Sequence, residues 1–325
     1  VTLFAEQGPD AQGRPGVLAG IGRTPCVRIR GEGAEVWVKL EAANPTGSYK
    51  DRMALAMIEG AERRGALKPG QAVVEYTGGS TGSSLALVCS VKGYPLFIVS
   101  SNAFAAEKIR TMLAFGARVE LIDSPGGITP DLIPRLRARA AEIATAEGAY
   151  ATDQFNNRDM IEGYRSLGAE IIEQVEGPID AYCGYIGTGG CFIGVTTALG
   201  EVYPKMRRVA VEPTESAVLS GGSAGTHRIE GGGVGFRPPL LGLDAFDSVV
   251  TVSTEQAMAE ARRTALADGI WSGPSTGANL MAARTVAADL GAGHRVVTVQ
   301  CDSGLKYLAG GAGLSLRVPT HQTRG

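Results

Sequence analysis

The chain has 325 residues, 44% of them apolar and 20% charged, with a formal net charge of −2. That length and balance exclude a disordered or low-complexity chain and suit one large or two ordinary α/β domains. They also give no bulk electrostatic reason to bind nucleic acid or an anionic membrane.

The first 20 residues carry Glu6, Asp10 and Arg14 and no apolar run of the signal-peptide kind. From residue 36, short β-branched runs alternate with helix-period segments. A strand is expected over 36–40, then a helix over 51–64 with Met53, Met57, Ile58 and Ala61 on one face and Gly65 as its cap. Pro69-Gly70 turns the chain into a strand at 72–76, and a glycine-rich loop leads to a helix over 83–92. A strand at 96–100, a helix at 105–115, a strand at 118–122 and a helix at 132–147 continue the series. Beyond residue 150 the same reading gives a helix at 159–175, a strand at 180–186, a helix at 192–199 and a strand at 207–211. A long glycine-rich loop over 216–239 is followed by a strand at 248–252, helices at 255–267 and 279–290, and a last strand at 295–300. Such alternation predicts parallel-rich sheets with helices on both faces, and a ligand crevice beyond the strand ends of two such sheets.

No run of about 18 apolar residues predicts a transmembrane helix. The five cysteines are widely spaced, without a C-x-x-C pair and with only three histidines. This argues against a disulfide framework or zinc site and for a reducing cytoplasm, so no metal is expected. Glycine is the outlier, at 46 residues; the surplus belongs in loops where backbone comes close to something.

Three predicted strands end in small residues that open a helix or turn: Thr77-Gly78-Gly79-Ser80-Thr81-Gly82, Gly187-Thr188-Gly189-Gly190-Cys191 and Cys301-Asp302-Ser303-Gly304. A fourth segment, Asn44-Pro45-Thr46-Gly47-Ser48-Tyr49-Lys50-Asp51-Arg52, places a lysine at a helix start. Glycines before a helix N-terminus bring free N–H groups and a positive dipole end to an anion, so 187–191 reads as a phosphate cradle. Glu212 after the next strand raises a dinucleotide site, but G-x-G-x-x-G requires a glycine where Phe192 stands. Lys50 is at the dipole end that disfavours a cation, and the local field there favours a neutral amine able to attack an aldehyde. A Schiff-base lysine with a phosphate cradle points to pyridoxal 5′-phosphate. Ser303 then meets the ring nitrogen and leaves it neutral, which favours expulsion of a β-leaving group; strand-end alternation turns Asp302 the other way.

At these four segments the sequence resembles the fold-type II pyridoxal-phosphate enzymes, specifically the cysteine synthase (O-acetylserine sulfhydrylase) and cystathionine β-synthase group. Gly22-Arg23-Thr24-Pro25, Val211-Glu212-Pro213, Ser220-Gly221-Gly222 and residues 231–238 extend the likeness over nearly the whole chain. The resemblance implies a two-domain α/β fold like that of the tryptophan synthase β subunit. Residues 36–150 would form the smaller domain, with Lys50 and the substrate loop. Residues 1–35 and 151–325 would form the larger, with the phosphate loop and ring-nitrogen site.

By position, the resemblance makes Lys50 the Schiff-base lysine and Cα proton carrier, and Gly187, Thr188, Gly189, Gly190 and Cys191 the phosphate loop. Ser80 would meet the cofactor ring, Ser303 its nitrogen, and Thr77, Gly78, Thr81 and Gln154 the substrate carboxylate. The implied reaction is β-replacement on an activated serine through an aminoacrylate, with sulfide or a related nucleophile. A dehydratase, a β-lyase and a specialised β-substituted-alanine synthase are the alternatives. A cytoplasmic homodimer that can take an acetyltransferase tail in its cleft is expected. The family's loop usually reads Thr-Ser-Gly-Asn-Thr-Gly; Gly78 and Ser80 depart from it and predict a wider pocket, and Cys191 stands where the family has threonine.

Overall fold

The computed structural model describes residues 16–308 except 126, 128 and 130. The expectations for residues 1–15 and 309–325 lie outside the described residues.

Two sheets organise the chain. The larger has the order β1-β2-β10-β7-β8-β9. Its strands are β1 (Cys26–Ile29), β2 (Glu35–Leu40), β7 (Ala181–Tyr185), β8 (Arg207–Pro213), β9 (Ser248–Val252) and β10 (Arg295–Gln300). Only the β1–β2 pair is antiparallel. The smaller sheet is wholly parallel, in the order β5-β4-β3-β6, from β3 (Val73–Tyr76), β4 (Leu96–Ser101), β5 (Arg118–Ile122) and β6 (Tyr150–Ala151). The helices are α1 (Lys50–Arg63), α2 (Ser80–Lys92), α3 (Ala106–Ala114), α4 (Leu132–Glu147), α5 (Asp159–Gln174), α6 (Gly190–Val202), α7 (Thr254–Asp268) and α8 (Pro274–Leu290).

Strand alternation sorts the core. On β7, Ala181, Cys183 and Tyr185 join the cluster under α7 and α8, while Tyr182 joins the cluster of α5 and α6 on the opposite face. On β3, Val74 and Tyr76 face the α4 cluster and Val73 the other side. Both faces of each sheet are therefore covered, as parallel strands require.

The structure moves several boundaries. Residues 36–40 were expected in the smaller domain, but β2 pairs with β10 from Glu35↔Arg295 to Leu40↔Gln300 and so belongs to the larger sheet. Strand pairing between residues this far apart in sequence leaves no local periodic trace. The short strands β1 and β6 carry no pattern long enough to read. The last helix starts at Pro274 rather than 279, with proline at its first position.

Helix α1 packs on both α2 and α5 and so lies between the sheets, with Met53, Ala54, Met57, Ile58 and Ala61 buried. Its first turn is held by a buried ionic clamp. Arg52 donates from Nε and Nη2 to the two oxygens of Glu41, both at 2.8 Å, and to Glu170 on α5 at 2.7 and 2.8 Å. Lys39 on β2 pairs with the same Glu170 at 2.6 Å. Burial alone would push the Glu170 carboxyl up; Arg52, Lys39 and the Arg23 N–H outweigh it and hold the group down at about 2, from 4.5.

Glu170 is depressed in the folded chain, so its stabilisation is complete above the unfolded value of 4.5 and is lost as pH falls toward 2. Thermal melts from pH 7 to 2 should show wild type losing about 3 kcal/mol in that window relative to Glu170→Gln, whose stability is already lower at pH 7. Parallel curves for the two proteins would remove Glu170 from the clamp.

Candidate active site

Parallel β2, β10 and β7 are neighbours, so their C-terminal ends lie side by side and deliver three of the four motif segments to one place. The segment after β2 is laced to the segment after β10. Tyr49 N–H and the Ser48 hydroxyl both donate to the Cys301 carbonyl at 3.1 Å, and Ser303 N–H donates to Gly47 O at 2.9 Å. Gly47 takes the left-handed φ of +74° that this turn requires. Asp51 accepts from Thr46 N–H at 2.8 Å and from the Ser84 hydroxyl at 2.5 Å, tying α1 to α2.

Lys50 is the first residue of α1 and is 7% exposed. Among the described residues its Nζ has no ion pair; it lies 4.8 Å from the centroid of the Tyr49 ring. Burial lowers its pKa from the ordinary 10.5, with Cys191, Cys301 and Asp302 opposing. Burial pushes the Cys301 thiol up to about 12 and Cys191 higher still. Both therefore stay neutral near pH 7, leaving Asp302 as the charge that opposes burial of the lysine.

The loop after β7 enters α6 with Gly189 at φ +88° as its N-cap. Packing behind the loop enforces its other glycines. A Cβ at Gly187 would lie 2.5 Å from the Gly231 carbonyl, and one at Gly190 would strike the Met160 sulfur. Glu212, the acid that suggested a dinucleotide site, accepts from Leu219 N–H, Ser220 N–H and the Ser220 hydroxyl and so pins the long loop.

The structure brings the substrate-loop residues together. The Thr81 hydroxyl donates to Gln154 Oε1 at 2.8 Å, Gln154 Nε2 donates to Tyr76 O at 2.9 Å, and Gly79 N–H donates to Thr77 Oγ1 at 3.1 Å. The wider pocket expected from Gly78 and Ser80 does not open at Gly78. A Cβ at Gly78 would lie 2.6 Å from Cε1 of Phe104, and one at Gly79 would strike Cδ of Lys108. Side chains just before and within α3 fill the room that the glycines leave.

Asp302 and Ser303 point apart. Asp302 Oδ2 accepts from the Tyr307 hydroxyl at 2.8 Å and from the Ser80 hydroxyl at 3.4 Å, while Oδ1 is buried without a hydrogen-bond partner among the described residues. Ser303 Oγ accepts from Leu305 N–H at 3.2 Å and caps the short helix Gly304–Tyr307. Sequence reasoning places Ser275 only within a stretch, residues 272–277, that could wall the cofactor, and does not single it out. It sits buried in the first turn of α8, close enough to the Cys301 thiol to oppose the rise in its pKa, with Oγ 3.7 Å from the place of a Gly231 Cβ. Pro274 was the signal for it, because proline at the first helical position marks a start that the hydrophobic period does not show.

These groups fit pyridoxal phosphate. A buried amine with no ion pair among the described residues, for the aldehyde, lies near Cys191 in the first turn of the glycine-lined α6 N-terminus, for the phosphate.

Comparison with known proteins agrees. The family profile of pyridoxal-phosphate dependent enzymes matches residues 17–302. Cysteine synthase of Staphylococcus aureus (strain Mu50) is 41% identical over 295 residues, covering 89% of this chain and 94% of that one. Among solved structures, O-acetylserine sulfhydrylase isoform 3 of Entamoeba histolytica superposes with a TM-score of 0.86 at 32% identity, over 98% of this chain and 96% of that one. O-ureido-L-serine synthase does so with a TM-score of 0.85 at 32% identity, over 94% and 96%. With the profile spanning residues 17–302 and the lysine and glycine loop in place, the chain belongs to the pyridoxal-phosphate dependent enzymes of fold-type II.

Proposed function

We propose that this enzyme carries out β-replacement on an activated L-serine such as O-acetylserine. It joins sulfide or a related small nucleophile to the β-carbon and gives cysteine or an analogue. The observation that carries this reading is the buried Lys50 amine, without an ion pair among the described residues, beside Cys191 of the α6 glycine loop. When bound, pyridoxal phosphate supplies an aldehyde for Lys50 and a sink for the electrons of the substrate Cα–H bond. Lys50, its pKa lowered by burial, is the amine that takes the Cα proton. The N–H groups of Gly187, Thr188, Gly189 and Gly190 hold the phosphate, with the neutral Cys191 thiol as a weak donor beside them. Thr81 and Gln154, already joined by a hydrogen bond, take the substrate carboxylate with Thr77 and the Gly78 backbone; Ser80 faces the ring.

The names of the relatives support sulfide, and O-ureido-L-serine synthase among the structural neighbours supports other nucleophiles. Elimination alone, as in a dehydratase or β-lyase, would release pyruvate without consuming sulfide. The same reading carries a cytoplasmic homodimer whose cleft admits an acetyltransferase tail. Five free thiols fit a reducing compartment, and no helix among the described residues is long and apolar enough to cross a membrane. Light scattering reads the assembly state.

Purified protein should be yellow, and borohydride should bleach it and leave the cofactor mass on the Lys50 peptide. Lys50→Ala should lower turnover at least about a thousandfold. Titration with O-acetylserine, O-phosphoserine and serine, followed by sulfide, identifies the donor. A protein that stays colourless after incubation with pyridoxal phosphate overturns the assignment.

Two hydroxyls compete for the ring nitrogen. Ser303 is the sequence choice, but its oxygen already accepts from Leu305 N–H; the buried Ser275 at the N-terminus of α8 is favoured. Ser275→Asp should retain the cofactor and slow turnover sharply, about a hundredfold or more, while Ser303→Asp changes it less. The reverse ranking in steady-state assays returns the role to Ser303.

A further inference from the structure

Lys108 sits in the first turn of α3, a poor place for a cation, and its side chain is only 3% exposed. A buried ammonium needs partners, and among the described residues they come from the segments that follow β8 and β10 of the larger sheet. Nζ pairs with Glu230 Oε2 at 2.7 Å and donates to the Tyr307 hydroxyl at 3.0 Å. That hydroxyl donates to Asp302, which in turn accepts from Ser80 in the substrate loop. The lysine stem lies against Gly79, where a Cβ would strike it, and the Ser83 hydroxyl donates to the Lys108 carbonyl at 3.3 Å. Lys108 therefore touches loop 77–82 from below while its ammonium is anchored across the crevice.

We propose that Lys108 is a positioning residue for the substrate-carboxylate loop: its buried bridge to Glu230 and Tyr307 holds Gly79 and Ser80 in the binding geometry. The role rests on the β-replacement reading for its substrate, but the contacts that define it do not. They pass through side-chain packing at Gly79 and through the chain Lys108 to Tyr307 to Asp302 to Ser80. Each member donates to the next as far as the carboxylate, so loss of the ammonium loosens every later link. The substrate's hold on Thr77 and Thr81 weakens because the loop spends less time in register, while Lys50 and its proton transfer stay in place.

The experiment uses the cofactor-loaded enzyme and the variants Lys108→Met, Lys108→Arg and Tyr307→Phe. Hydrogen exchange without substrate should show faster exchange at residues 77–82 in Lys108→Met, a smaller increase in Tyr307→Phe and near-wild-type protection in Lys108→Arg. Steady-state kinetics with O-acetylserine should show KM raised about tenfold in Lys108→Met, kcat changed much less, and KM recovered in Lys108→Arg. If Lys108→Met fails to fold, Tyr307→Phe decides by the same two readouts. Unchanged exchange at 77–82, or a fall in kcat with KM unmoved, overturns the proposal. The exchange measurement needs no substrate, so a wrong donor or nucleophile is distinguishable from a wrong role for Lys108.

Discussion

Everything at the site hangs from the guanidinium of Arg52. It is two residues from Lys50, buried, and paired on one side with Glu41 after β2 and on the other with Glu170 on α5. A helix start that carries a buried lysine has no intrinsic reason to stay where it is. The helix dipole opposes the cation, and burial opposes its charge. The clamp resolves this by fastening that same first turn to two elements at once, the segment after β2 and α5. Removing one partner would strand a buried charge, a strongly destabilising event, so the clamp fixes position even if its net contribution to stability is small.

With the backbone fixed, the chemistry follows from what surrounds the amine. The two nearby thiols are driven toward neutrality by the same burial that acts on Lys50. They fill space without supplying a counter-charge, and the amine is left free to exchange protons. The Asp302 carboxylate opposes that shift, yet its hydrogen bonds go to Tyr307 and Ser80. Its charge is thereby shared with the network under the substrate loop.

The substrate loop shows how substitutions are absorbed by neighbours. Taken alone, the small residues at 78 and 80 mean room. In the folded chain Phe104 stands in that room at Gly78 and Lys108 fills the space at Gly79, because a close-packed interior does not leave a side-chain-sized void beside a buried loop. The consequence is chemical as well as steric, since the group that moves in at Gly79 is the stem of a cation tied to the opposite side of the crevice.

The sequence by itself determined the alternation of strand and helix, the glycine loop at the start of α6 and the lysine at the start of α1. Hydrophobic period, turn chemistry and helix-start signals are properties of neighbouring residues. It left undecided which sheet β2 would join, which of Asp302, Ser303 and Ser275 would turn which way, and what would stand over Gly78 and Gly79. Each depends on partners that meet only when the chain folds: Leu40 beside Gln300, Ser275 beside Cys301, Lys108 against Glu230. Tertiary packing decided these because a side chain's surroundings, unlike its secondary structure, are set by residues far away in sequence.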